Sequence, residues 1–264
     1  MKSSSIFQAS SESLRISHVI ARFLCLVGIF YFELSISNLF LTFVFYHIYM
    51  SIGLSLMLHR YFSHRSFRFK NSIIENLFTY ISILAMRGSP IAWSYLHRDH
   101  HEFVDTPNDP HTPHGNTFKF LSLLDRNHKG NQLEIWRIRH LMTKKNLLIN
   151  KYYWLILFLP LICIASYNLS YVYFGWLLPI VLVQLSINFQ NYLGHMKSPL
   201  SYINYQTKSS GHSQNNILLW PLYLGEAWHN NHHSHSTHYH YGKEISGKWW
   251  EYDPVGNLIK LISK

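Results

Sequence analysis

Four apolar stretches divide the chain, at about residues 19–36, 38–58, 147–167 and 171–193. Each is long enough to cross roughly 30 Å of hydrocarbon at about 1.5 Å per residue. Lipid offers backbone groups no hydrogen-bond partner, so such segments must be helical. The first two stretches nearly touch, as do the last two, and a long polar block separates the pairs. The pattern therefore predicts two transmembrane hairpins. A fifth stretch, about 72–92, carries Ile73, Ile74, Leu77, Phe78, Ile81, Ile83 and Leu84, but Glu75, Arg87, Gly88 and Pro90 interrupt it. Were it to span, the histidines before and after it would lie on opposite sides of the membrane. It is expected instead as an amphipathic helix at the interface.

Basic residues fix the orientation. The turns at about 33–38 and 168–170 contain no Lys or Arg, whereas Arg60, Arg65, Arg68 and Lys70 follow the second apolar stretch. The block from Arg98 to Lys151 holds nine more, and both terminal segments are also basic. The positive-inside rule then puts both termini and both polar blocks in the cytoplasm, in a bacterium at the inner membrane. The expected fold is an all-α, multi-pass integral membrane protein with four transmembrane helices and a cytosolic helical cap. Residues 1–264 read as one domain. The N-terminal stretch is Ser-rich and polar, and the apolar run after it carries Arg22 without a clear cleavage site, so a retained helix is expected rather than a signal peptide.

Composition changes this picture in one respect. Charged residues make up only 14% of the chain, below the roughly 25% of a soluble domain. Mean hydropathy is nevertheless close to zero, because polar residues are gathered between the apolar runs. Net charge is +10, yet the basic residues form no nucleic-acid signature, and anionic lipid suits them better. Cys25 and Cys163 lie inside apolar runs without metal-site spacing and read as small buried hydrophobes. The unusual number is 19 histidines.

Eight of them form three clusters: His59 and His64, then His97, His100 and His101, then His229, His232 and His233. In the second and third, the i, i+3, i+4 spacing puts the rings on one face of a helix, where they converge on metal. In the first, an i, i+5 spacing separates the rings by about 140° on a regular helix, so that pair is expected where the second span ends and the chain turns. Imidazole-rich sites suit iron, zinc, copper or nickel. His18, His47, His128, His140 and His212 stand alone and read as satisfied polar residues, and His235, His238 and His240 as surface or supporting groups.

Asp99, Glu102, Asp105, Asp109 and Glu226 are placed to accept the second N–H of ligand rings. Glu226 and His229 make a Glu-x-x-His, which recurs in soluble di-iron bundles, but those need two such motifs and further glutamates. Only one is present.

In order and spacing, HxxxxH, HxxHH and HxxHH resemble the membrane fatty acid desaturases of the stearoyl (Δ9) type. HRYFSHR at 59–65, DTPNDPHTP at 105–113, GEAWHNNHH at 225–233 and WWEYDP at 249–254 extend the likeness. It covers the chain from about Ser51 to its end, while the first hairpin matches in hydropathy only. The resemblance implies a ninth ligand, His195, within Asn191-Tyr-Leu-Gly-His195, with Asn191 approaching one metal through water. It also implies two iron ions (Fe2+/Fe3+), O2 as co-substrate, and a cis double bond set into a saturated acyl chain, with no acid–base dyad in the protein. A tunnel between the hairpins would take the acyl tail, and the aromatics at about Phe40–Tyr49 are candidates for its lining.

Acyl-CoA members of the family usually carry an Arg-Asp pair just before the second cluster, where this chain has Trp93-Ser94-Tyr95-Leu96. That departure weakens an acyl-CoA assignment and resembles bacterial and cyanobacterial members, several of which act on lipid-linked chains; the expected substrate is an acyl-lipid or acyl-CoA. The electron donor is expected as a separate ferredoxin or cytochrome b5 type protein. The competing readings are a membrane di-iron alkyl or acyl hydroxylase, and a metal-binding or transport protein that is not an enzyme. Transporters place ionisable groups near the bilayer midplane, whereas these histidines fall at or beyond helix ends.

Overall fold

The computed structural model describes residues 11–110, 132–207 and 211–264. The Ser-rich N-terminal stretch, the end of the 105–113 motif and His128 lie outside the described residues. The fold is mostly helical, with one two-stranded antiparallel sheet pairing Ser201–Tyr202 with Asn215–Asn216 among the described residues. Three helices are long and apolar enough to cross a membrane, or four if one bent pair counts as a single span.

Helix α1 (Ser11–Tyr31) starts and ends earlier than the stretch 19–36. It stops where Ser35 begins the next helix, its side chain accepting the Asn38 N–H at 3.3 Å. Helix α2 (Ile36–Ile48) then continues without interruption as a π-helix, Tyr49–His64. The second apolar stretch thus runs past its expected end near residue 58 and carries the first histidine pair inside it. Thirteen of the 16 π-helical residues are buried, because the helix is surrounded by other elements.

Two elements occupy the stretch expected as one interfacial helix over 72–92. Helix α3 (Ser72–Leu84) is capped by Asn71 and ends before Met86 and Gly88, both at positive φ. Helix α4 (Pro90–Phe103) restarts the chain, with Ser89 accepting the Ala92 N–H and Pro90 in the first turn. Both helices pack against the π-helix.

The third apolar stretch is bent by 66° between α5 (Lys144–Lys151) and α6 (Tyr153–Tyr167). Tyr153 at the bend is fully buried; its hydroxyl accepts the Gly88 N–H at 3.2 Å and donates to the Ile83 carbonyl at 3.3 Å. Helix α7 (Leu169–Leu193) completes the apolar set. Val19, Phe23, Leu26 and Phe30 on α1, and Leu155, Leu159 and Ile162 on α6, face outward. Soluble monomers rarely expose apolar surface on this scale, and it fits a protein that sits in lipid. Cys163 is on this outward face, whereas Cys25 is buried. Phe40 and Phe43 also point outward, while Tyr46 and Tyr49 are buried and hydrogen-bonded to other helices.

Candidate metal centre

Four parts of the chain bring the nine predicted histidines together. The π-helix supplies His59 and His64, and α4 supplies His97, His100 and His101. The chain just past α7 supplies His195, and the short helix α8 (His229–Ser234) supplies the last three. Their ligand-capable atoms fall into two groups: His59, His64, His97, His101 and His232 in one, and His100, His195, His229 and His233 in the other. Within each group these atoms lie within 4.8 Å of one another.

The first pair shows why five residues can separate neighbours. A π-helix bonds residue i to i+5, so residues five apart lie nearly above one another. The His59 and His64 rings accordingly have centroids 5.0 Å apart. The expected turn is absent because the helix itself has widened; the chain leaves it only at Arg65, in the left-handed region at φ 57°.

Helix α8 has six residues, far fewer than the roughly 12–15 a helix needs to persist alone. Tertiary bonds hold it. The Asn231 side chain donates to the Tyr241 carbonyl (2.8 Å) and Glu251 Oε2 (2.6 Å), and accepts from Asn204 (2.8 Å) and Asn215 (2.9 Å). Asn230 accepts the backbone N–H of Asn204 and of Tyr205, at 2.8 and 2.9 Å. The two asparagines thus clamp the helix from behind while its histidines face inward.

Three of the predicted carboxylates meet Nδ1 atoms of these rings. Glu226 Oε2 is 2.7 Å from His59, Asp109 Oδ1 2.9 Å from His100, and Asp105 Oδ2 3.1 Å from His195. Each accepts an Nδ1–H, which leaves the lone pair on Nε2, facing the other rings. Asp99 instead faces Arg137 at 3.4 Å, and Glu102 is exposed. Asn191 lines a cavity with His59, His97 and His229, walled by Met50, Leu54, Trp93 and Ile187. The residues lining this cavity come from elsewhere than the expected 40–49 aromatics.

Burial pushes His101, His229, His232 and His233 well below the ordinary imidazole range, and neighbouring imidazoles add to the effect. Burial lowers His195 too, against the opposing hydrogen bond it donates to Asp105. Burial alone would raise Glu226, but His59 and Arg60 outweigh it and hold the carboxyl below its usual value. Those five rings are therefore held as neutral donors.

This donor set fits metal. The Nε2 atoms of His59 and His232, His101 and His232, and His195 and His229 are 3.0, 2.9 and 2.9 Å apart. Two imidazole nitrogens at right angles about one ion, each at roughly 2.1 Å, would be about 3.0 Å apart. One Nε2–H could bridge any single pair, but each group converges more than two ring nitrogens on one point, which suits an ion.

Two of the isolated histidines behave as polar side chains. His18 and His140 meet the carbonyls of Met86 and Phe62, at 2.8 and 3.0 Å. His240 is fully buried rather than on the surface and belongs to neither ring group. Sequence reasoning missed Ser55, Arg60 and Asp253, which lie behind His59; Arg60 was visible there only as a positive charge.

The fatty acid desaturase family pattern matches residues 34–245. The chain is similar to Delta-9 acyl-lipid desaturase 2 of Arabidopsis thaliana, 30% identical over 255 residues, covering 90% of this chain and 75% of that one. It is likewise 30% identical over 232 residues to the sn-1 stearoyl-lipid 9-desaturase of Synechocystis, covering 84% and 68%. With acyl-CoA 5-desaturase AL21 of Anemone leveillei it shares 29% over 252 residues, covering 90% and 72%. The chain belongs to the fatty acid desaturase family and is an oxidoreductase of lipid metabolism. That family normally uses iron, and the two histidine groups are placed to bind metal.

Proposed function

We propose that the chain introduces a cis double bond, of Δ9 type, into a saturated acyl chain at a histidine-ligated di-iron centre. The observation that carries this reading is the division of nine imidazoles into two adjoining groups beside a largely apolar cavity. His59, His64, His97, His101 and His232 would hold one iron, and His100, His195, His229 and His233 the other, with Asn191 near the second through water. Two irons with O2 and two electrons supply the oxidising power that no side chain possesses. The protein's own residues position and exclude. Glu226, Asp109 and Asp105 hold the Nδ1 protons of His59, His100 and His195, which fixes each ring's tautomer and aim. Met50, Leu54, Trp93 and Ile187 give methylene groups an apolar wall and keep water out.

Two of the relatives' names specify lipid-linked chains. Together with the uncharged stretch at 93–96, they favour an acyl-lipid substrate over acyl-CoA. Residues 1–264 act as one domain, with four spans in two hairpins and both termini cytoplasmic in a bacterial inner membrane. Electrons come from a separate ferredoxin or cytochrome b5 type donor.

The test is expression in a desaturase-deficient host followed by fatty-acid profiling. The native chain is expected to produce monounsaturated acid, with two hydrogens lost rather than one oxygen gained. His100→Ala or His232→Ala should abolish the product while the protein still inserts. Retained unsaturation in either variant would refute the assignment, and a hydroxylated product would mean a hydroxylase.

A further inference from the structure

The WWEYDP motif contains Asp253, 193 residues from Arg60 in sequence, and the two form an ion pair with no exposed side-chain surface. Arg60 Nη2 donates to Asp253 Oδ2 at 2.9 Å, while its Nη1 lies 3.3 Å from Glu226 Oε1. Ser55 sits between them: Arg60 donates to its hydroxyl, which donates to Glu226 Oε1. The other oxygen of Glu226 accepts the His59 Nδ1–H at 2.7 Å. The Tyr241 ring covers the arrangement, 3.9 Å from the Arg60 guanidinium and 4.5 Å from the His232 ring.

One cation is thus shared by two buried carboxylates. In such a low-dielectric setting the partition of that charge matters. If Arg60 leaned wholly on Glu226, that carboxylate would hold the His59 N–H more weakly. Asp253 draws the guanidinium the other way and leaves Glu226 with negative charge for the imidazole. We propose that Asp253 is a positioning residue for the metal centre, acting through Arg60 and Glu226 to set how strongly His59 binds metal. This rests on the reading of His59 as a ligand.

Asp253 also caps α9 (Pro254–Ile262), its Oδ1 accepting the Gly256 N–H at 2.9 Å, so a structural role must be separated. Asp253→Asn keeps the cap, because asparagine is as good an N-cap, and removes the charge, although its amide replaces the oxygen that accepts the Tyr241 N–H at 2.8 Å. The full chain would be purified in detergent without metal and titrated with Co2+ against a competing chelator, with the visible ligand-field spectrum recorded. Asp253→Asn is expected to weaken binding of one of two ions about tenfold, the scale of such supporting contacts. Its spectrum should shift; the apoprotein's unfolding midpoint should fall as well, because the amide would face the Tyr241 N–H and the Arg60 guanidinium, so the metal affinity and spectrum are the readouts that decide. Native affinity and spectrum in that variant would overturn the proposal, as would a lowered midpoint with native affinity. If Asp253→Asn does not fold, Ser55→Ala, which removes the hydroxyl between Arg60 and Glu226, should weaken the same ion; native binding there would overturn the proposal. Failure of the native chain to bind two ions would instead refute the metal-centre reading itself.

Discussion

Asn231 gives the sharpest test of how the third histidine cluster is held. Its side chain is fully buried and makes four hydrogen bonds, to Tyr241, Glu251, Asn204 and Asn215. Asn231→Ala removes all four and strands a carbonyl, a carboxylate and two amides. Each unsatisfied buried group costs about 1–3 kcal/mol, but neighbouring losses share relaxation and do not add. The expected destabilisation is therefore ~4 kcal/mol, near the upper end for single substitutions. Asn231→Asp keeps the shape and should be worse. Its second oxygen would face Glu251 Oε2, now 2.6 Å from an amide donor, and the Tyr241 carbonyl, with nothing to donate. The assay is equilibrium unfolding in detergent, with hydrogen exchange read over 229–234. Both variants should also lose metal, since α8 cannot stand alone at six residues. A loss under about 1 kcal/mol in Asn231→Ala, or an aspartate variant more stable than the alanine one, would refute the clamp.

Other consequences follow from the same contacts. The depressed histidines are neutral in the fold, whereas in the unfolded chain they take protons below about pH 6.5. The unfolded state then binds more protons, so apoprotein stability should be full above that pH and fall as pH drops from 7.5 to 5.5. A flat unfolding midpoint across that range would contradict it. Tyr153→Phe loses the links to Gly88 and Ile83 and should cost about 1–2 kcal/mol in unfolding while metal content stays native. Gly242→Ala should be far more damaging than Gly247→Ala. A Cβ at 242 would sit 1.9 Å from the Glu251 carbonyl oxygen, while at 247 it meets open space and bears only the strain of φ +75°. That strain is worth about 1–2 kcal/mol; equal unfolding midpoints would count against the packing described.

The sequence made the two HxxHH clusters legible because ordinary helical periodicity already puts those rings on one face. It misled over His59 and His64, because a regular helix was assumed where the chain forms a π-helix. His195 carries no spacing signal; it is buried only because α7 stops at Leu193 and Gly194 lets the His229 ring approach. A Cβ there would lie 2.8 Å from that ring. Asn230 and Asn231 stood in plain view, but their purpose depends on Asn204 and Asn215, which come from the strand region before α8. Arg60 and Asp253 are a tertiary pair that no local pattern announces. The bend at Tyr152 was invisible for a related reason: hydropathy records apolar length and not direction.

Helix α4 gives His97 and His101 to one histidine group and His100 to the other, and α8 does the reverse, giving His232 to the first and His229 and His233 to the second. Neither group can be adjusted by itself. A rotation of α4 that improved the geometry of one group would pull a ring away from the other, and so would a slip of α8. The pair behaves as two wheels on one axle. Selection or design acting on either half must preserve both, and damage to one helix is expected to disable the whole centre rather than leave a working half.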